Sequence, residues 1–235
     1  MQQNDRLFSH PFSAAYWRLA AAEYKKPKML VLAAMLTAMR IAVKSLSVPV
    51  GPSLKITFGF LVNAVGSMIY GPVVAVAASA VSDTLGAILF PSGTYFFPFI
   101  FEEIAGGVLF ALFYYRARLS ATRVMLGRLA VTAVCNLILN PLLLMWYYAV
   151  IVGKSYAFMT WPRLAKNIAL FPLQTVALVL LFNLLLPVTN RMGLTYTGNS
   201  KLALTKKNVL ALIALTVLAA AAVAAYYLWV YRPKA

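Results

Sequence analysis

Long apolar runs dictate what this chain can fold into. Residues 29–46, 53–70, 73–90, 96–115, 124–151, 164–187 and 208–231 are each dominated by Leu, Val, Ala, Ile and Phe. A bilayer core about 30 Å thick takes roughly 20 apolar residues per helix, so the pattern predicts six or seven crossings. With 63% hydrophobic residues and a mean hydropathy of +0.82, a soluble domain of this size would have a greasy surface everywhere. The two-residue alternation of a membrane β-barrel is absent, and the runs are too long for strands. The expected class is therefore all-α: a polytopic membrane protein with a six-helix bundle over residues 29–187 and an additional seventh helix.

The net charge of +16 raises the question of nucleic acid, but the cations are sorted by loop and form no stripe. If the N-terminus is cytoplasmic, that side receives Arg6, Arg18, Lys25, Lys26 and Lys28, then Arg116, Arg118, Arg123 and Arg128, then Arg191, Lys201, Lys206 and Lys207. This is the positive-inside pattern, and it assigns most of the charge to topology and anionic lipid. Residues 1–28 read as a cytoplasmic or interfacial segment rather than a signal peptide, because the Lys25, Lys26, Lys28 cluster follows the polar stretch. Phe12, Tyr16, Trp17 and Leu19 could form the apolar face of an interfacial helix. Residues 188–207 read as a basic cytoplasmic linker, and 208–235 as the extra helix with a short tail. The single cysteine, Cys135, excludes an internal disulfide.

Polar residues inside the apolar runs carry the functional information. Gly71-Pro72 separates the second run from the third with almost no loop, which predicts a tight helical hairpin. The connections SLSVPVGPSL (45–54) and FPSGTYFFP (90–98) are rich in Pro, Gly and Ser and read as structured caps on the outer side. Placed by depth, Arg40, Lys44, Lys55, Asn63, Asp83, Glu102, Glu103, Arg163, Lys166 and Asn167 fall in the outer half, with Asn136, Asn140 and Gln174 deeper. Charges at such depth generally face a cavity or each other. Five cations (Arg40, Lys44, Lys55, Arg163, Lys166) then oppose three acids (Asp83, Glu102, Glu103), a surplus of two positive charges that a small dianion would balance. The competing account has Lys44, Lys55 and Arg163 snorkelling to the outer interface, and Arg40 with Asp83 as a structural ion pair.

On a helical wheel Arg40 and Lys44 centre one face of the first membrane helix, and Ala34, Ala38 and Ala42 centre a stripe roughly 140° away. Small residues at this spacing admit a close helix neighbour, within the bundle or from a partner. Enzyme chemistry finds little footing: the sole histidine, His10, lies in the N-terminal tail, and no His/Cys/carboxylate cluster suits a metal. The stretch GLTYTGNS (193–200) has P-loop spacing, but Asn199 occupies the phosphate-binding lysine position, so no ATP site is expected. No catalytic residue, metal or cofactor is assigned, and the chain is not expected to be an enzyme.

The segment GPSLKITFGFLVNAVGSMIYGPVVAVAASAVSDTLGAILFPSGTYFFP (51–98), followed by GGVLFALFYY (106–115), NLILNPLLL (136–144) and RLAKNIALFPLQTVALVLL (163–181), resembles the folate-family substrate-binding S component of energy-coupling factor (ECF) vitamin transporters. The resemblance covers about residues 29–187. It implies a six-helix cell-membrane protein that captures a vitamin from outside, docks on a transmembrane T subunit driven by two cytoplasmic ATPases, and topples to release its cargo. It further implies that Ala34, Ala38 and Ala42 face the T subunit and that loops 45–54 and 90–98 gate the pocket.

Folate, with a flat pterin and two glutamate carboxylates, suits the charge surplus. Arg40, Lys44, Arg163 and Lys166 would pair with the carboxylates. Asp83, Asn136, Gln174 and one of Glu102 or Glu103 would order the pocket or read the heterocycle, with Lys55, Asn140 and Asn167 beside them. Phe58, Tyr95, Phe96 and Phe97 would stack on the pterin, cap it, or simply pack in the core. Two features depart from the family pattern: FIFEEIAGG (99–107) puts two acids at pocket depth, and the seventh run is extra. The alternatives are an S component for another vitamin, a self-sufficient secondary transporter of an organic anion, and a membrane scaffold without a ligand.

Overall fold

The computed structural model describes residues 7–8, 10–45, 47–49, 55–91 and 94–195, together with residue 202 and scattered positions between 207 and 225. The architecture is helical. Helix α1 (Ala14–Glu23) precedes α2 (Pro27–Ser45), a two-stranded ladder of β1 (Ser47–Pro49) and β2 (Lys55–Thr57), α3 (Gly59–Leu89), α4 (Phe99–Tyr114), α5 (Ala121–Val131), α6 (Asn140–Tyr147) and α7 (Trp161–Arg191). Among the described residues, three stretches are long and apolar enough to cross a membrane: Gly59–Leu89, Ala121–Val152 and Arg163–Arg191.

Helix α3 is two arms. Gly71 has φ 77° and ψ 179°, outside the helical region, and Pro72 follows it; glycine is the residue that takes such a φ without a Cβ penalty. Asn63 and Ser79 lie on opposite sides of this kink, yet both come within 3.4 Å of the point where a Cβ on Gly107 would sit. Sixteen residues of unbroken helix would hold them about 24 Å apart, so the chain doubles back at Gly71-Pro72 as the sequence predicts. The lack of a Cβ at Gly107, only 2.5 Å from the Ser79 hydroxyl in projection, lets α4 lie close against both arms.

Helices α5 and α6 form one rod from Ala121 to Val152, with π-helical turns at Thr132–Leu139 and Tyr148–Val152. Ser120 caps its start by accepting the Arg123 N–H at 3.2 Å. Gly153, left-handed at φ 69°, ends it. With α2, the two arms of α3, α4 and α7, this rod makes the six-membered bundle.

Its core joins Phe110, Tyr114, Val124, Leu178 and Phe182. The Tyr114 ring stands 5.5 Å from Phe110 and 5.2 Å from Phe182, and its hydroxyl donates to the Val124 carbonyl at 2.8 Å. Within the expected run 208–231, the described residues are helical and exposed, with apolar residues such as Leu210, Ile213, Val217 and Leu218 at 56–71%.

Several features differ from the sequence expectation, the following most. The second run starts at 59 rather than 53, because residues 55–57 pair antiparallel with 47–49. Three-residue strands carry too little alternation to be read from sequence. Helix α7 extends beyond 164–187 in both directions, helped at its start by Pro162 in the first turn. Helix α1, expected to float on the interface, is docked instead. Tyr16 is 1% exposed, its hydroxyl donates to the Ala111 carbonyl at 3.1 Å, and its ring meets Tyr115 edge-on at 5.5 Å, while Phe12 and Trp17 remain outside.

Candidate ligand-binding site

Between α2, α3, α4, the rod and α7 lies a cavity of about 570 Å³, within the roughly 300–1,000 Å³ that small-molecule sites occupy. Arg40 is 6% exposed. It donates to the Ser79 hydroxyl at 3.1 Å and pairs with Glu103 on α4. That side of α2 is opposite the alanine stripe, and Ala34, Ala38 and Ala42 are exposed.

From Glu102 a polar chain crosses the cavity wall. Asn140 Nδ2 donates to Glu102 Oε2 at 2.8 Å, Arg163 Nη1 donates to Asn140 Oδ1 at 3.0 Å, and Arg163 Nη2 donates to the Tyr156 hydroxyl at 2.7 Å. Asn136 donates to Asn167 at 3.0 Å, and Asn167 is itself anchored on the Arg163 carbonyl at 2.9 Å. The π-helical turns at Thr132–Leu139 bring Cys135 and Asn136 to the wall, in keeping with the tendency of such turns to sit at functional sites.

Among the sequence candidates, Arg40, Glu102, Glu103, Asn136, Asn140, Arg163, Lys166, Asn167 and Gln174 line the cavity. Lys44 and Lys55 have described backbones only, so the side-chain expectations for both lie outside the described residues. Loop residues 46, 50–54, 92 and 93 lie wholly outside the described residues, and with them part of the expectation that loops 45–54 and 90–98 gate the pocket.

Five candidates, Asp83, Tyr95, Phe58, Phe96 and Phe97, stand away from the described lining. Asp83 accepts from the Tyr95 hydroxyl at 3.3 Å, a contact between the second arm of α3 and the following loop. Phe96 packs into a ring cluster with Trp146 and Tyr147 at 5.4 and 5.5 Å. Phe58 caps the start of α3 and is 38% exposed. Phe97 is 59% exposed beside Phe101. The suggested Arg40–Asp83 pair is thereby replaced: Arg40 is engaged by Glu103, because α4 packs against α3 through Gly107.

Sequence reasoning placed Arg128 with the cytoplasmic loop cations. In the structure it is 4% exposed and lines the cavity, pairing with Gln174 while its guanidinium lies 4.9 Å from the Phe60 ring centre. The usable signal was its position eight residues into a helix that begins at Ser120, about 12 Å from that end. Phe60, Thr57, Tyr156 and Thr160 also line the cavity without having been singled out. The described lining holds four cations (Arg40, Arg128, Arg163, Lys166) and two carboxylates (Glu102, Glu103). In the described lining cations thus exceed carboxylates by two. In a low-dielectric wall such an excess favours an anionic ligand.

The pattern of the ECF transporter substrate-specific component family matches residues 28–182. The chain belongs to that family. It is 31% identical over 150 residues to the Folate transporter FolT of Clostridium novyi, covering 64% of this chain and 84% of that one. To the Folate transporter FolT of Streptococcus mutans it is 30% identical over 152 residues, covering 60% and 82%. A crystal structure of FolT bound with folic acid superposes with a TM-score of 0.56 at 33% identity, over 64% of this chain and 89% of the other. In each case the similarity covers most of the relative and leaves over a third of this chain unmatched. The family pattern itself ends at residue 182, before the additional apolar run.

Proposed function

We propose that this family member is the substrate-capture subunit of an ATP-driven vitamin importer, and that its vitamin is folate. The reading rests on one observation above all: a cavity of vitamin size whose described wall carries two more cations than carboxylates. Folate supplies two carboxylates and a flat heterocycle rich in donors and acceptors. Relatives named as folate transporters, at 30–31% identity, support the same choice.

In this account Arg40, Arg163 and Lys166 attract the carboxylates. Asn136, Asn140, Asn167, Gln174 and one of Glu102 or Glu103 order the pocket. The N-terminus and the Arg- and Lys-rich loops face the cytoplasm, as the positive-inside bias requires. The exposed Ala34, Ala38 and Ala42 face of α2 docks on the T subunit, to which two ATPase subunits supply the energy. The protein itself binds and delivers, and catalyses no reaction.

The test is reconstitution in vesicles. The chain alone should bind folate without accumulating it, and accumulation should require the T subunit, the ATPases and ATP. Concentrative, ion-driven uptake by the chain alone would instead identify a secondary transporter.

A further inference from the structure

Two adjacent acids of α4 line the cavity, and their partners set them apart. Glu102 accepts from Asn140 and so joins the polar chain that runs on to Arg163. Glu103 instead engages Arg40 of α2. The Arg40 guanidinium is held from two sides. Its Nη1 donates at 3.1 Å to the Ser79 hydroxyl, which is fully buried and not among the lining residues. Its Nη2 pairs with Glu103, whose side chain is 25% exposed in the cavity wall.

A ligand carboxylate that reaches Arg40 therefore meets a seat in which a carboxylate already sits. The two groups are chemical twins that want the same charge-assisted hydrogen bond. They do not share it cheaply, because Glu102 stands next in the wall with a further negative charge, and like charges in a poorly screened wall repel. In the empty cavity, however, the acid is needed. Arg40 is 6% exposed, and a buried charge that loses its opposite partner is strongly destabilising.

Resting on the folate reading above, we propose that Glu103 is a specificity-determining residue: an internal carboxylate that occupies Arg40 while the cavity is empty and that a carboxylate of the ligand must displace. The exchange sets a threshold. A small carboxylate that brings nothing else gains little by trading one ion pair for another, whereas a ligand with a ring system makes up the difference through its remaining contacts. Glu102, held by Asn140, stays in place and orders the wall.

The experiment compares two forms of one ligand on the purified full chain. Folic acid and its diamide, in which both glutamate carboxylates are converted to uncharged amides, are titrated by calorimetry against wild type, Glu103→Gln and Glu102→Gln. Glu103→Gln removes the competitor and should tighten folic acid by about 10-fold, with binding of the diamide unchanged. Glu102→Gln removes the same charge one residue away without freeing Arg40, and should tighten neither. The sign is decisive, since an acid that only supports the fold, or that contacts the ligand directly, loses affinity when neutralised. If Glu103→Gln does not yield folded protein, Glu103→Asp draws the charge back by one methylene and should shift folic acid in the same direction by a smaller factor.

Weaker or unchanged folic acid binding by the Glu103 variant, an equal shift for both ligands, or a gain of the same size in Glu102→Gln would overturn the inference. Those outcomes leave folate binding by wild type intact. If the diamide binds too weakly to measure, the direction of the folic acid change in the two variants decides alone. Wild-type protein that binds no folic acid overturns the folate reading, and this inference with it.

Discussion

Among the described residues, two buried clusters of charge are built differently. The cluster around Glu23 is packed solid. Glu23, 0% exposed, accepts from Arg116 at 3.2 Å and from the Tyr115 hydroxyl at 3.0 Å, and pairs with Lys26 at 2.8 Å, while the Tyr115 ring lies where a Cβ on Gly71 would come within about 3.0 Å of it. Burial raises the Tyr16 hydroxyl well above the ordinary tyrosine range, so it stays protonated as the donor that fastens α1 to α4. The cluster of Arg40, Arg128, Arg163 and Lys166 with Glu102 and Glu103 instead lines an open cavity, four cations against two carboxylates. A tightly enclosed cluster fastens elements together, whereas an open cluster with a residual charge holds a ligand.

The comparison breaks first at the solid cluster. Glu23→Ala leaves Arg116 buried opposite a hole, and removing one partner of a buried pair costs about 3–5 kcal/mol. Thermal unfolding in detergent should show a large loss of stability. A variant as stable as wild type would mean that α1 is only loosely attached.

At the open cluster, Arg40→Ala should weaken folate binding by about 100-fold with a smaller change in melting temperature, the reverse of the Glu23 variant. A large stability loss with unaltered affinity would make Arg40 a fastener too. Gly107→Val, which forces a side chain against Ser79 where α4 meets α3, should cost about 1–3 kcal/mol and disturb Arg40 indirectly, read as a modest drop in both stability and affinity. The smallest effect on binding is expected from Ala38→Trp on the exposed face of α2: affinity unchanged, vesicle uptake with the full transporter abolished. Loss of binding there would show that the alanine face belongs to the core.

What sequence could and could not convey follows from the range of the forces involved. The apolar runs and the Gly71-Pro72 reversal were legible because length and a helix-breaking pair act locally. The face of Arg40 and its separation from Ala34, Ala38 and Ala42 followed from helical periodicity alone. Arg128 was misassigned because its loop neighbours Arg116, Arg118 and Arg123 made it look like topology charge. Its partners Gln174 and Phe60 lie 46 residues after it and 68 before it in the chain, and only packing joins them. Asp83 was grouped with the pocket by depth, but depth does not say which side of the second arm of α3 a residue faces. Arg116, likewise read as a loop cation, adopts φ 49° and turns inward to Glu23, a contact that no local pattern encodes.

Binding calorimetry of the purified wild-type chain against a panel of vitamins, with Arg40→Ala in parallel, tests the central claim that the open, positively charged cluster is a folate site. Tight binding of folate, weakened in Arg40→Ala, is the expected result. Tight binding of an uncharged vitamin in place of folate, or folate binding indifferent to Arg40, would contradict it.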